Sequence, residues 1–164
     1  MTGYKVIGAV PSLSTARYGG LTRTYIQLSV RELTNSLLRF LTKRKSPGVF
    51  IINLFSTSED SGEDIIGTLI CGFMQSRKLN TKFICYNKDF DIASTQYLLA
   101  RSVTDFYTPQ GEDVLIVAYP PLSKSSISSA LLHDTNANIL VTPANRGWKT
   151  CLLYTSDAAD ERSS

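Results

Sequence analysis

Five short runs rich in β-branched and aromatic residues punctuate the first 145 residues: KVIGAVP (5–11), VFIINLF (49–55), KFICYN (82–87), DVLIVAY (113–119) and NILVTPA (138–144). Their apolarity is continuous rather than alternating, the pattern of strands covered on both faces. Helical patterns fill the gaps. Residues 22–44 place Ile26, Val30, Leu33, Leu37 and Phe40 at steps of three and four, one apolar stripe that reads as core. EDIIGTLICGFMQSRKL (63–79) starts with acids and ends with bases, as a helix dipole prefers. Two further helices are expected near 92–102 and 125–133. Strand and helix in alternation predict an α/β fold with a mostly parallel sheet between helical layers.

The rest of the composition narrows the class. At 164 residues the chain is one domain's worth, and 43% hydrophobic with 19% charged residues is ordinary for a globular protein. A net charge of +3 is too small to argue for nucleic acid. No apolar run of about 18 residues is present. Cys71, Cys85 and Cys151 form no C-x-x-C pair, and an odd count speaks against a disulfide framework, so they read as buried or idle thiols. His133 is the only histidine, so no metal site is expected. CLLYTSDAADE (151–161) reads as the translation of a sequencing-library adapter. The expected division is therefore a domain over 1–150, cut short at its C-terminus, and an artefact tail over 151–164. That tail holds Arg162 against Asp157, Asp160 and Glu161, which leaves the body at +5.

The second run leads through a polar turn into the second helix, the layout of a phosphate-binding loop, G-x-x-x-x-G-K-[ST]. On that frame the chain presents Thr57, four residues, Gly62, Glu63 and Asp64. Glutamate replaces the lysine and aspartate the hydroxyl residue. Such loops surround a polyphosphate with backbone N–H groups while the lysine neutralises its charge. At ~4 Å and an effective dielectric of about 20, each unit-charge pair is worth roughly 4 kcal/mol before screening. The exchange is therefore expected to oppose ATP by several kcal/mol. Ser61-Gly62-Glu63-Asp64 also fits a capping box, in which Ser61 and Asp64 satisfy each other's backbone N–H groups. The expectation is that Glu63 and Asp64 supply from within the negative charge a nucleotide would have brought.

Order and spacing carry a resemblance. KVIGAVP, VRELTNSLLRF (30–40), the loop, FICYNKDFD, VLIVAYPPL and NILVTPANRGWK together resemble the cytoplasmic domain of bacterial tyrosine autokinases over residues 3–149. Those domains are attached to the chain-length-determinant (polysaccharide co-polymerase) membrane proteins of capsule, exopolysaccharide and lipopolysaccharide synthesis. The resemblance implies a three-layer P-loop NTPase-like fold. It also locates three degenerate motifs. The loop has lost its lysine and hydroxyl. The Asp-x-Asp motif reads Asn87, Lys88, Asp89, Phe90, Asp91, with Asp89 surviving. The Asp-x-Pro-Pro motif reads Ala118, Tyr119, Pro120, Pro121, with the acid gone.

The resemblance thus implies a non-catalytic, kinase-like module at the cytoplasmic face of the bacterial inner membrane, with no cofactor. Membrane-embedded co-polymerase segments and the polysaccharide polymerase or export machinery would be its partners, and no nucleic acid. Arg31, Glu32 and Arg39 partly match the family's ring-forming helix pattern, which makes a homo-oligomer an expectation. The alternative is an active tyrosine autokinase or ATPase that binds Mg-ATP through an atypical loop.

Overall fold

The computed structural model describes residues 4–11, 20–43, 48–58, 63–145 and 148–154. Six strands and four α-helices follow one another as β1 (Tyr4–Pro11), α1 (Gly20–Lys43), β2 (Phe50–Ser56), α2 (Glu63–Ser76), β3 (Thr81–Cys85), α3 (Thr95–Leu98), β4 (Val114–Ala118), α4 (Ser129–His133), β5 (Ala137–Asn145) and β6 (Trp148–Tyr154). They form a single sheet in the order β1-β6-β5-β2-β4-β3. Four of these strands, β3, β4, β2 and β5, run parallel, while β6 is antiparallel to both β5 and β1. The boundary expected at residue 150 falls inside β6, and Cys151–Tyr154 lie in the sheet between β5 and β1.

Alternation along the buried strands sends side chains into two separate cores. Phe50, Ile52 and Leu54 of β2, with Val114 and Ile116 of β4, meet Val30, Leu33 and Leu37 of α1 and Ile66, Ile70 and Met74 of α2. The expected core stripe of α1 is thus seen at its three described buried positions; the side chains of Ile26 and Phe40 lie outside the described residues. On the opposite face Ile51, Phe55, Leu115, Val117 and Tyr119 pack with Phe90, Tyr97, Val103 and Leu131. Helices on both faces of a parallel sheet make the three-layer α/β architecture expected of a P-loop NTPase-like fold. The buried side chains of β2 and β4 are apolar except at Asn53 and at Ser56, which closes β2.

Three helical expectations change. Residues 92–102 do not form one helix; α3 is four residues long and a 3-10 helix follows at Val103–Asp105. The reason is local competition. Asp91 Oδ1 accepts from the Ala93 N–H, Ser94 Oγ from the Tyr97 N–H, and Asp105 Oδ2 from the Arg101 and Ser102 N–H groups. Side chains that take backbone donors cut a helix into turns. Likewise α4 spans only Ser129–His133, starting at the Ser128 cap. The basic end expected for α2 lies just past it, since the helix closes at Ser76 and Lys78 takes a left-handed conformation, φ +65°.

Two glycines of α2 differ in kind. A Cβ on Gly67 would stand 2.5 Å from Phe83 Cζ and 3.1 Å from Leu54 Cδ2, whereas one on Gly72 would meet nothing within 4 Å. Gly67 is therefore the contact that lets α2 lie close on β2 and β3. Thermal or urea denaturation is expected to show Gly72→Ala stabilising by about 0.5–1 kcal/mol through helix propensity. Gly67→Ala is expected to lose about 1–2 kcal/mol, because displacing the Phe83 ring outweighs that gain.

Candidate functional site

The carboxyl ends of parallel strands are where open α/β sheets place their ligands. Here β2 ends at the buried Ser56, and its pairing with β5 continues one step further, the Thr57 N–H donating to the Val141 carbonyl at 3.3 Å. Of the loop that follows, Thr57 and Ser58 are described, while Ser61 and Gly62 lie outside the described residues, and with them the expected capping box. The helix then starts at Glu63. Strand and helix thus fall where the phosphate-loop frame places them.

Glu63 behaves differently from the expectation. It is 7% exposed, and burial pushes its carboxyl up to about 8. The Asp64 carboxylate raises it further, and the Ser56 hydroxyl pulls the other way. Ser56 stands near enough to favour the charged form but not in hydrogen-bond geometry, since Ser56 Oγ and Glu63 Oε2 are both buried without a hydrogen-bond partner among the described residues. At pH 7 such a carboxyl is protonated in roughly nine molecules of ten. The expectation that Glu63 supplies negative charge at the helix start is therefore corrected. It offers a buried neutral acid where a lysine would stand, and the exposed Asp64 is the acid presented to solvent. The physical cause is desolvation: the first turn of α2 tucks the 63 side chain against the end of β2 while the 64 side chain points away.

Cys85, the last residue of β3, shares this neighbourhood. Burial raises its thiol to about 11, with Asp64, Asp89 and Glu63 adding to the rise and Lys88 opposing it. A thiol held that high is protonated at neutral pH and a poor nucleophile. Asp89 is exposed, and its Oδ2 accepts from the Cys85 N–H at 2.8 Å. Asn87 sits at φ +59° and donates from its N–H to the Phe90 carbonyl at 2.6 Å. These bonds make 87–90 a closed turn in which Asp89 holds the backbone and Asn87 takes the left-handed corner that asparagine tolerates.

The third motif closes β4. Ala118 is fully buried, its carbonyl accepting from the Tyr86 N–H at 3.1 Å, and its methyl side chain has no ligating atom. Tyr119 is also fully buried and stacks on Phe55 at 5.1 Å, inside a ring cluster with Phe90, Tyr97 and Phe106. Its hydroxyl and that of Tyr97 are buried without a hydrogen-bond partner. Pro120 and Pro121 are buried, and beyond them the Leu122 N–H donates to the Ser56 carbonyl at 2.9 Å. The chain leaving β4 therefore crosses back over the end of β2, beside the loop.

The structure thus gathers Glu63, Asp64, Cys85, Asp89 and Ala118 at one end of the sheet. Arg31, Glu32 and Arg39 are elsewhere, exposed along α1, with the Arg31 guanidinium 5.7 Å from the Phe73 ring centroid. Ser56 was missed as a member of the site. A serine closing an apolar strand just before the loop was the available signal. Among the described residues no group of three or more His, Cys, Asp or Glu side chains is placed to hold a metal.

Comparison with protein-family models and with curated proteins returns no match. Among solved structures, Bacillus subtilis YdiB is similar over 81% of this chain and 88% of that one, at 11% identity and a TM-score of 0.44. So distant a likeness assigns no residue a role, and the fold class rests on the strand order and the two helical layers.

Proposed function

We propose that this chain is a non-catalytic, kinase-like module of a polysaccharide chain-length or export regulator, working at the cytoplasmic face of a bacterial membrane. The observation that carries the non-catalytic part is the Glu63 carboxyl, buried and held near 8 at the start of α2, in the position of the phosphate-binding lysine. Three further features support it. Asp64 replaces the hydroxyl that would meet magnesium, Ala118 replaces the acid that would hold it, and Asp89 is engaged with the Cys85 N–H. A polyphosphate approaching the loop would find no lysine and an exposed carboxylate at 64. The polysaccharide assignment rests on the motif order of residues 3–149. In this reading the module acts through its conformation and contacts, with membrane-embedded co-polymerase segments and the polymerase or export machinery as partners.

Calorimetric titration with ATP and magnesium tests the reading. The expected outcome is no saturable binding, with any dissociation constant weaker than about 1 mM. Saturable binding at low micromolar ATP would overturn it in favour of an active kinase or ATPase with an atypical loop.

A further inference from the structure

A groove of about 550 Å³ runs between α1 and α2, on the helical face of the sheet. Its lining includes Arg31 and Asn35 of α1, Gly72 and Phe73 of α2, and Arg77 just beyond, and among the described residues it contains two arginines and no acid. Both guanidiniums rest on neutral partners. Arg31 lies over the Phe73 ring, and Arg77 Nη2 donates to Asn35 Oδ1 at 3.2 Å. Among the described residues neither meets a carboxylate. The groove's hydroxyls are turned to their own helices: Thr34 donates to the Val30 carbonyl, Thr68 to Asp64 and Ser76 to Phe73. Recognition in this groove therefore falls to two unneutralised arginines.

Spacing suggests what they would hold. Residue 31 faces 73 and residue 35 faces 77, so the two helices run parallel here, with the arginine anchors offset along the groove by one turn, about 6 Å. Alternate side chains of an extended peptide repeat at roughly 6.6–6.8 Å, a close match. Gly72 is the second, independent observation. It is exposed in the middle of a helix, where glycine is unfavourable, and among the described residues nothing stands within 4 Å of the space its Cβ would fill. Gly67 has Phe83 to account for it; Gly72 has only the groove, whose floor it keeps open for a close-lying backbone.

We propose that the groove between α1 and α2 docks an extended acidic segment of a partner protein, with carboxylates two residues apart seated on Arg31 and Arg77. The site is separate from the phosphate-loop frame and stands whether or not that frame binds nucleotide. Charge complementarity selects the partner, and bidentate pairing to carboxylates is what arginine supplies best.

Fluorescence anisotropy with a labelled peptide carrying Glu-Val-Glu-Val-Glu, against the same peptide with glutamines, tests it on the full chain at low salt. The glutamate peptide is expected to bind and the glutamine peptide not. Arg31→Gln and Arg77→Gln are each expected to weaken binding at least about tenfold. Gly72→Leu is expected to do the same with an undiminished melting temperature, which keeps the test independent of folding. Absence of binding, or binding unchanged in all three variants, would overturn the proposal. Equal competition by inorganic phosphate would overturn it in favour of a phosphate site. Self-association lost in the same variants would overturn it in favour of a second copy of this chain.

Discussion

Glu63→Gln is expected to leave stability nearly unchanged at pH 4 and to raise it by on the order of 4 kcal/mol at pH 9. The sign follows from linkage. In the folded chain the carboxyl titrates at about 8, against 4.5 when unperturbed, so between those values the native state holds a proton that the unfolded state has lost. Stability is therefore fullest below the unfolded value and declines as pH rises through the window to the folded value. Each pKa unit is worth about 1.4 kcal/mol, which sets the size of the loss. Glutamine has the shape and neutrality of the protonated acid and escapes the decline. The Asp64 carboxylate contributes to the effect, so Asp64→Asn should reproduce a smaller part of it. Urea denaturation of both proteins across pH 4–9 reads the difference. Parallel profiles would show that the 63 side chain is solvated.

The second large effect concerns Asn53, the polar residue in the middle of β2, fully buried. Its Nδ2 lies 3.2 Å from the Leu131 carbonyl, 3.1 Å from Thr135 Oγ1 and 3.0 Å from Asn138 Oδ1. Asn138 is itself oriented, because its Nδ2 donates to the Leu132 carbonyl at 3.0 Å, which turns its oxygen toward Asn53. The 53 side chain must therefore present a donor. Asn53→Asp has the same shape and no donor when ionised, and it would aim a buried charge at two carbonyl oxygens. The expected cost is about 3–5 kcal/mol at pH 7, shrinking at acidic pH as the carboxyl takes a proton. Asn53→Leu, which removes the polarity but disturbs the packing, is expected to cost less, about 1–3 kcal/mol. If the two variants proved equally stable at pH 7, the network would have no energetic role.

Much of the architecture was legible because parallel-sheet strands announce themselves. A run such as VFIINLF, apolar at nearly every position, has few homes other than a strand covered on both faces, and β2 is buried along its whole length. The stripe on α1 was legible for the same reason of periodicity. The short helices were not, because Asp91, Ser94, Ser102 and Asp105 bind nearby backbone N–H groups, and that competition is settled by geometry rather than by periodicity. At the candidate site, the exchange of lysine for Glu63 could be read directly, but its consequence could not. Sequence spacing places Glu63 and Asp64 side by side as equal acids. The rotation of about 100° between neighbouring helical residues separates their fates, burying the first against β2 and leaving the second in solvent. Asn53 was hidden inside its own apolar run, since its partners Leu131, Thr135 and Asn138 are some 80 residues away and meet it only in the folded sheet.

That the lysine position is filled by an uncharged acid is the claim on which the functional reading turns. Carbon-13 NMR of glutamate side-chain carboxyls, with the 63 resonance assigned by its loss in Glu63→Gln, measures it directly. A titration midpoint near 8 is the predicted result. A midpoint near 4.5, the ordinary glutamate value, would contradict it.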